Sequence, residues 1–278
     1  MRNDHIGAIQ VALGAIFWSF AGVLGKWLPW NALTINGLRS LVAAVLMGLA
    51  RRSFRVRLSR GNVLGALGVM LTSILYMAAM KLTTSANAIV LQYAAPAFVI
   101  LFYWIFYAQR PTPRDVVTAA LIMLGVVLCF VDKLGGGHLA GNLLAILSAV
   151  TFALVFFCAR MPDSDPAEYS YLGLLLCVPS ALFGFFDPAM SADPRQWLAV
   201  TGLGVCLAGG YYFISAAMGK VSPIFTVLLS NLEPVLNPIW VAVFLPELGE
   251  VPGGWALVGS AIVLITAGVY SVTGGKSS

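Results

Sequence analysis

Two ionisable side chains of this chain lie where an apolar setting makes charge costly: Arg39, in Gly37-Leu38-Arg39-Ser40, and Glu233, in Ser230-Asn231-Leu232-Glu233-Pro234. Each sits inside a run of apolar residues long enough to cross a membrane. An ion at the bilayer centre costs at least about 2.5 kcal/mol unless a partner or a water-filled cavity receives it. Two chemistries fit. Either the two charges pair with each other or with helix ends and hold the bundle together, or they serve a substrate. In the second case Glu233, the only carboxylate inside a span, carries a coupling proton or touches the substrate directly, and Arg39 is the one cation within reach of a substrate anion.

Prolines stand beside these groups. Pro96 and Pro234, with Pro238 after Asn237, interrupt otherwise apolar segments. A proline removes a backbone donor and disfavours helical geometry in the residue before it, here Ala95 and Glu233, so carbonyls are freed in mid-span. That is either a hinge or a static kink held by packing. A pocket with apolar walls and a few polar groups suits an amino-acid side chain, its amino and carboxylate groups met by amides, hydroxyls and helix dipoles. The candidates to line it are Trp18, Tyr76, Gln92, Tyr93, Tyr211, Tyr212, Ser215, Ser230 and Asn231, and for each aromatic the alternative is lipid contact or core packing. Trp27, Trp30, Trp104, Trp197 and Trp255 fall near segment ends and read as interfacial anchors.

The elements that must position these groups are membrane spans. With 60% hydrophobic and 10% charged residues over 278 and a mean hydropathy of +0.91, the chain is too apolar for a solvated domain. About 20 residues cross a hydrocarbon core roughly 30 Å thick. Ten such runs are predicted: about 6–25, 32–50, 63–80, 85–107, 116–131, 142–158, 169–186, 197–218, 221–244 and 255–272. Lipid offers the backbone no hydrogen bonds and no alternating ten-residue pattern of a barrel is present, so the fold class is all-α integral membrane. The first run is longer than a signal-peptide core and is read as retained. With the N-terminus inside, cytoplasmic segments hold 11 of the 16 lysines and arginines and outer loops 4, which predicts both termini in the cytoplasm. The net charge of +5 therefore encodes orientation and not nucleic-acid binding. Cys129, Cys158, Cys177 and Cys206 lie in apolar runs without paired spacing and read as small buried hydrophobes, with no metal or cofactor implied.

The halves repeat weakly. Ala78-Ala79-Met80 recurs as Ala216-Ala217-Met218, and at the same offset of 138 Pro96 recurs as Pro234; Lys26 and Arg160 match at 134. Five spans per half is an odd number, so the second half enters from the opposite side. This predicts two inverted five-helix repeats, residues 1–137 and 138–278 divided at Gly135-Gly136-Gly137, around a central cavity near the midplane. The glycines of the eighth run, Gly202, Gly204, Gly209 and Gly210, are read as sites of close helix approach.

In these features the chain resembles the EamA-type exporters of the drug/metabolite transporter superfamily, nearest to the YddG-type aromatic amino-acid exporters. The residues that carry the likeness are Phe17-Trp18-Ser19-Phe20, Arg39 with Gly37 and Ser40, Ala79-Met80-Lys81, Ser85-Ala86, Ala95-Pro96, Leu232-Glu233-Pro234, Gly249-Glu250, Gly259 and Gly268. Where the family has Gly-Glu after the fourth helix this chain has Ala108-Gln109, so that carboxylate survives only at Glu250. The resemblance implies export of small metabolites, amino acids foremost, across the cytoplasmic membrane by a basket of ten helices whose fifth and tenth lie outside the cavity. A homodimer is compatible with it.

Other classes fare worse. A membrane-embedded enzyme needs a catalytic set in a span, yet His5 lies in the N-terminal tail, His138 in a loop, and no HExxH or GxSxG occurs. A structural or receptor-like protein leaves the repeat without a purpose. Among substrates, drugs and sugars compete with amino acids, while a phosphate-bearing one would favour several cavity cations and only Arg39 qualifies. The tail Gly274-Gly275-Lys276-Ser277 is not a phosphate-binding loop, since Tyr270 stands where its first glycine is required.

Overall fold

The computed structural model describes residues 2–25, 27–83, 85–131, 139–244 and 253–274. Gly135-Gly136-Gly137, His138, Gly249-Glu250 and Lys26 lie outside the described residues. Every regular element described is helical. In order they are α1 (Arg2–Ser19), α2 (Ala21–Gly25), α3 (Ala32–Ala50), α4 (Arg60–Leu82), α5 (Ser85–Gln92), α6 (Ala95–Tyr107) and α7 (Pro113–Phe130), followed by α8 (Leu139–Cys158) and α9 (Pro166–Cys177). A 3₁₀ stretch (Val178–Phe186) continues α9, and α10 (Pro194–Met218), α11 (Pro223–Ser230), α12 (Glu233–Phe244) and α13 (Gly254–Gly274) complete the chain.

Among the described residues, nine helical stretches are long and apolar enough to cross a membrane, and Gly254–Tyr270 is a shorter apolar one. Their outward faces are apolar. Phe185 and Phe186 are 84% and 86% exposed, a liability in water and the expected state against lipid.

Short polar connections start these helices by capping them, which gives the exposed N–H groups of the first turn an acceptor. Ser59 accepts from the Asn62 N–H at 3.2 Å, and Asp165 from Ala167 at 2.8 Å. Thr112 and Asp115 form a reciprocal capping box, and Asp193 and Ser222 cap α10 and α11. The acidic connections that carry no sequence pattern therefore have structural work. Asp163 accepts from the Gly61 N–H, and Glu168 pairs with Arg51 while accepting from the Arg57 N–H at 2.7 Å.

The first seven helices and the last six interleave. α4 lies along α8 and α9, α1 and α3 lie along α10, α3 packs on the 3₁₀ stretch, and α7 packs on α13. Small residues permit these contacts. A Cβ on Gly204 would collide with Val42 and the Arg39 carbonyl, one on Gly209 with the Phe17 ring, and one on Gly37 with the backbone at Ala181. The glycines of α10 thus serve the close approach expected of them.

Three of the apolar stretches are broken. α1 gives way to α2 at Phe20, α5 to α6 at Tyr93-Ala94, and α11 to α12 at Asn231-Leu232. The proline arithmetic needs a correction here: Ala95 and Glu233 open the second half-helices instead of lying outside them. A proline in the first turn costs no hydrogen bond, because the N–H it lacks would have had no intrahelical partner. The irregular residues consequently lie two and three positions before each proline. Trp30 also departs from expectation. Trp27, Trp104, Trp197 and Trp255 are exposed, but Trp30 is 2% exposed, donates to Gln196 Oε1 at 2.7 Å and packs edge-on against Trp197. Its indole found a partner inside the fold, so it is a packing residue.

Candidate functional site

The three breaks converge on one cavity of about 120 Å³. The first contributes Trp18 and Ala21, the second Gln92 and Tyr93, and the third Glu233; α3 adds Arg39, α4 adds Thr72, Ser73 and Tyr76, α8 adds Phe152, and α10 adds Leu203, Cys206, Leu207 and Tyr211. No residue of α7 or α13 lines it.

Each break is made by local chemistry. Ser19 donates to the Ile16 carbonyl at 2.7 Å, and its own oxygen accepts from the Trp240 indole at 2.8 Å. At the third break Ser230 Oγ and Asn231 Nδ2 both fold back onto the Val227 carbonyl, at 2.9 and 2.6 Å. Such side-chain competition for helix carbonyls is why serine and asparagine end helices. The second and third breaks close with the same tight turn: Ala94 N–H to Leu91 O at 3.2 Å, and Leu232 N–H to Leu229 O at 3.2 Å. The two turns are 138 residues apart, the offset between Pro96 and Pro234.

Arg39 is fixed from neighbouring polar groups. Its Nη2 donates to Asn36 Oδ1 at 3.2 Å and to Ser73 Oγ at 3.3 Å, while Ser73 donates to the same Asn36 oxygen at 2.6 Å. Asn36 is one helical turn earlier on α3, on the same face as Arg39. Arg39 Nε is buried without a partner. Glu233 is half-buried at the first position of α12, where the helix dipole favours a negative charge. Tyr93 lines the same cavity. The direct pairing of Arg39 with Glu233 weighed from sequence does not occur: among the described ion pairs, none joins them.

The aromatic wall is built around Trp18. Its ring meets Tyr211 edge-on, centroids 5.2 Å apart, and lies 6.1 Å from Phe152. Gly210 leaves room for the indole, since a Cβ there would overlap it.

Of the sequence candidates, then, Trp18, Tyr76, Gln92, Tyr93, Tyr211, Arg39 and Glu233 come together around the cavity. Pro96 and Pro234 are buried in the first turns of α6 and α12 beside it. Four others are elsewhere. Tyr212 is 46% exposed on the outer side of α10, Ser215 is buried against Ser170 and the Pro166 carbonyl, and Ser230 and Asn231 form the break without lining the cavity. Thr72, Ser73, Phe152, Leu203, Cys206 and Leu207 were not anticipated. The adjacent hydroxyls of Thr72 and Ser73 in an apolar run are a signal that was there to read; the apolar ones are indistinguishable in sequence from lipid-facing neighbours. All four cysteines are free.

A second cavity, about 550 Å³, opens among the ends of α6, α7, α8 and α10 and is lined in part by Asp4, Arg114, Arg160 and Lys220. Arg160 there lies over the Tyr103 and Tyr107 rings and bonds Gln109.

Comparison with known proteins fits this arrangement. The chain is 26% identical to the pseudopaline exporter CntI of Pseudomonas aeruginosa over 96% of both chains. It is 27% identical to the aromatic amino acid exporter YddG of Ancylobacter novellus, over 69% of this chain and 71% of that one. Human solute carrier family 35 member G1 is 26% identical over 77% of this chain and 61% of that one. A crystal structure with 21% identity superposes with a TM-score of 0.79, covering 96% of this chain and 97% of the other, which fixes the fold. The model of the EamA-like transporter family matches twice, over residues 5–131 and 139–273, and the chain belongs to that family: it is a multi-pass membrane protein of a transporter lineage and not an enzyme.

Proposed function

We propose that this protein is a secondary transporter that exports small metabolites, neutral and aromatic amino acids first among them, across the cytoplasmic membrane. Transport proceeds by alternating access between two inverted five-helix repeats, residues 1–137 and 138–278. The observation that carries this is the central cavity itself, bordered by two helix breaks made by the same turn 138 residues apart. Non-helical backbone at membrane depth is tolerated where it lines a cavity, and discontinuous helices at the junction of repeats are where secondary transporters bind substrate.

Packing supports the repeat. Exchanging the first five spans for the last five turns the α4–α8 contact into α10–α1, and α4–α9 into α10–α3, while α7–α13 maps onto itself; each of these pairs is in contact. The charge bias favours both termini inside, which puts the wider basic cavity of Arg114, Arg160 and Lys220 on the cytoplasmic side. In this reading Trp18, Tyr76, Gln92, Tyr93 and Tyr211 contact substrate, Arg39 and Glu233 supply charge, and Pro96 and Pro234 mark the hinges. Ser230 and Asn231 act by keeping the ninth span broken. Similarity to the YddG exporter favours amino acids; similarity to the pseudopaline exporter over nearly the whole of both chains favours another metabolite as the second reading.

The test is counterflow in liposomes holding the purified protein and a panel of radiolabelled amino acids. Saturable exchange of one or more neutral or aromatic amino acids is expected. Exchange of none would sink the amino-acid assignment and move the search to larger metabolites.

A further inference from the structure

The two charges of the central cavity have opposite signs, and among the described residues no ion pair joins either to an opposite charge. Arg39 is held by two neutral groups, Asn36 and Ser73, through Nη2 alone. Glu233 shares the cavity with the neutral Tyr93 phenol. If these charges served only to hold helices together, a direct ion pair would be the less costly arrangement, since each charge in a low-dielectric interior needs a counter-charge. Instead they stand on different helices, α3 and α12, and share the cavity with the rings of Trp18, Phe152 and Tyr211. Each is also held in its own place: Asn36 and Ser73 bond the guanidinium, and the N-terminus of α12 favours the carboxylate where it is.

Resting on the transport reading above, the geometry points to a two-pole site for a zwitterion. The carboxylate of the substrate binds the Arg39 guanidinium, its ammonium binds Glu233, and its side chain lies on the Trp18–Tyr211 wall. The class this selects is solutes carrying one anionic and one cationic group a few atoms apart. Amines and acids with a single charge leave one buried pole unpaired and are rejected, as sites built to bond a group reject analogues that lack it. Asn36 and Ser73 are positioning residues for the anionic pole.

The experiment is competition in phenylalanine counterflow, with leucine as the labelled solute if phenylalanine is not exchanged. Unlabelled phenylalanine, phenylethylamine and 3-phenylpropionate are the competitors. The wild-type protein should be inhibited by each single-charge analogue at least about tenfold more weakly than by phenylalanine. Glu233→Gln should lose discrimination against the acid while keeping it against the amine, and Arg39→Gln should do the reverse. If Arg39→Gln does not fold, Arg39→Lys keeps the charge and should keep discrimination against the amine, with Ser73→Ala weakening it. Equal inhibition by all three competitors in the wild type overturns the two-pole site and leaves amino-acid export standing. Loss of both discriminations in both single variants overturns the assignment of poles. Absence of saturable exchange of either amino acid overturns the amino-acid assignment and the two-pole site with it.

Discussion

The indole of Trp18 stands edge-on to the Tyr211 ring, planes at 77°, in the space that a side chain on the neighbouring Gly210 would need. One wall of the cavity thus depends on the absence of a single carbon atom. α10 brings the bare backbone of Gly210 against α1, and the following residue turns its ring towards the same indole.

Gly210→Ala is therefore expected to push Trp18 out of place. Overpacking of a tight interior site costs about 1–3 kcal/mol, and alanine's better helix propensity returns less than about 1 kcal/mol of that. A lower melting temperature in detergent and a changed tryptophan emission should appear together, with weaker substrate competition. Gly219, where a Cβ would meet nothing within 4 Å, is the control, and its alanine variant should lose none of these.

A second prediction concerns the clamp between the connection after α3 and the start of α9. Arg51 and Glu168 pair with side chains only 12% and 13% exposed, the guanidinium lies 4.6 Å from the Tyr171 ring centre, and Glu168 also accepts from the Arg57 N–H. Removing one partner of a largely buried pair leaves the other uncompensated, so Glu168→Ala should cost about 3 kcal/mol. Trypsin should then cut more readily at Arg55 and Arg57. An unchanged digestion pattern together with an unchanged melting temperature would mean that the clamp is a surface ornament.

How much of this was legible in the sequence depends on the type of residue. The breaks were, because Ser230-Asn231 and the two prolines are groups that compete with or interrupt helix hydrogen bonding wherever they occur. Arg39 and Glu233 stood out because charge in an apolar run has few explanations. Tyr211 and Tyr212 could not be separated, since adjacent residues on a helix point about 100° apart and only the packing of α10 decides which one looks inward. Phe152 and Leu203 were invisible for the opposite reason: in a membrane protein the core and the lipid-facing surface are equally apolar, so hydrophobicity carries no inside-outside signal. Trp30 was misread by the same ambiguity, an amphipathic ring near a helix end whose partner, Gln196, lies 166 residues away.

The prolines give a third prediction. Each occupies the first turn of a half-helix, where it strains nothing, while blocking continuation of the helix from upstream. Pro96→Ala and Pro234→Ala should change stability by no more than about 1 kcal/mol while allowing α5–α6 or α11–α12 to become continuous. If the breaks act as hinges, the maximal exchange rate falls several-fold and the concentration for half-maximal competition barely moves. Full exchange rates in both variants would make the breaks static features that shape the cavity.

The last prediction joins Glu233 to energy coupling. A carboxylate cannot hold a proton and bind a substrate ammonium at once, so the two compete, and an inward proton gradient would drive the substrate outward. The other titratable groups in the cavity are Arg39, Tyr76, Tyr93, Cys206 and Tyr211; their ordinary values lie at about 8.5 or above, so the carboxylate is the first of the set to release its proton. Imposing a pH gradient across liposomes should therefore accelerate substrate movement against the proton flow in the wild type. Glu233→Gln, which keeps the shape and removes the titration, should exchange substrate at a rate that no longer responds to the gradient, and the Tyr93→Phe variant should keep its response. A response in Glu233→Gln equal to the wild type would assign the carboxylate a structural role and leave the transport cycle uncoupled from protons at this site.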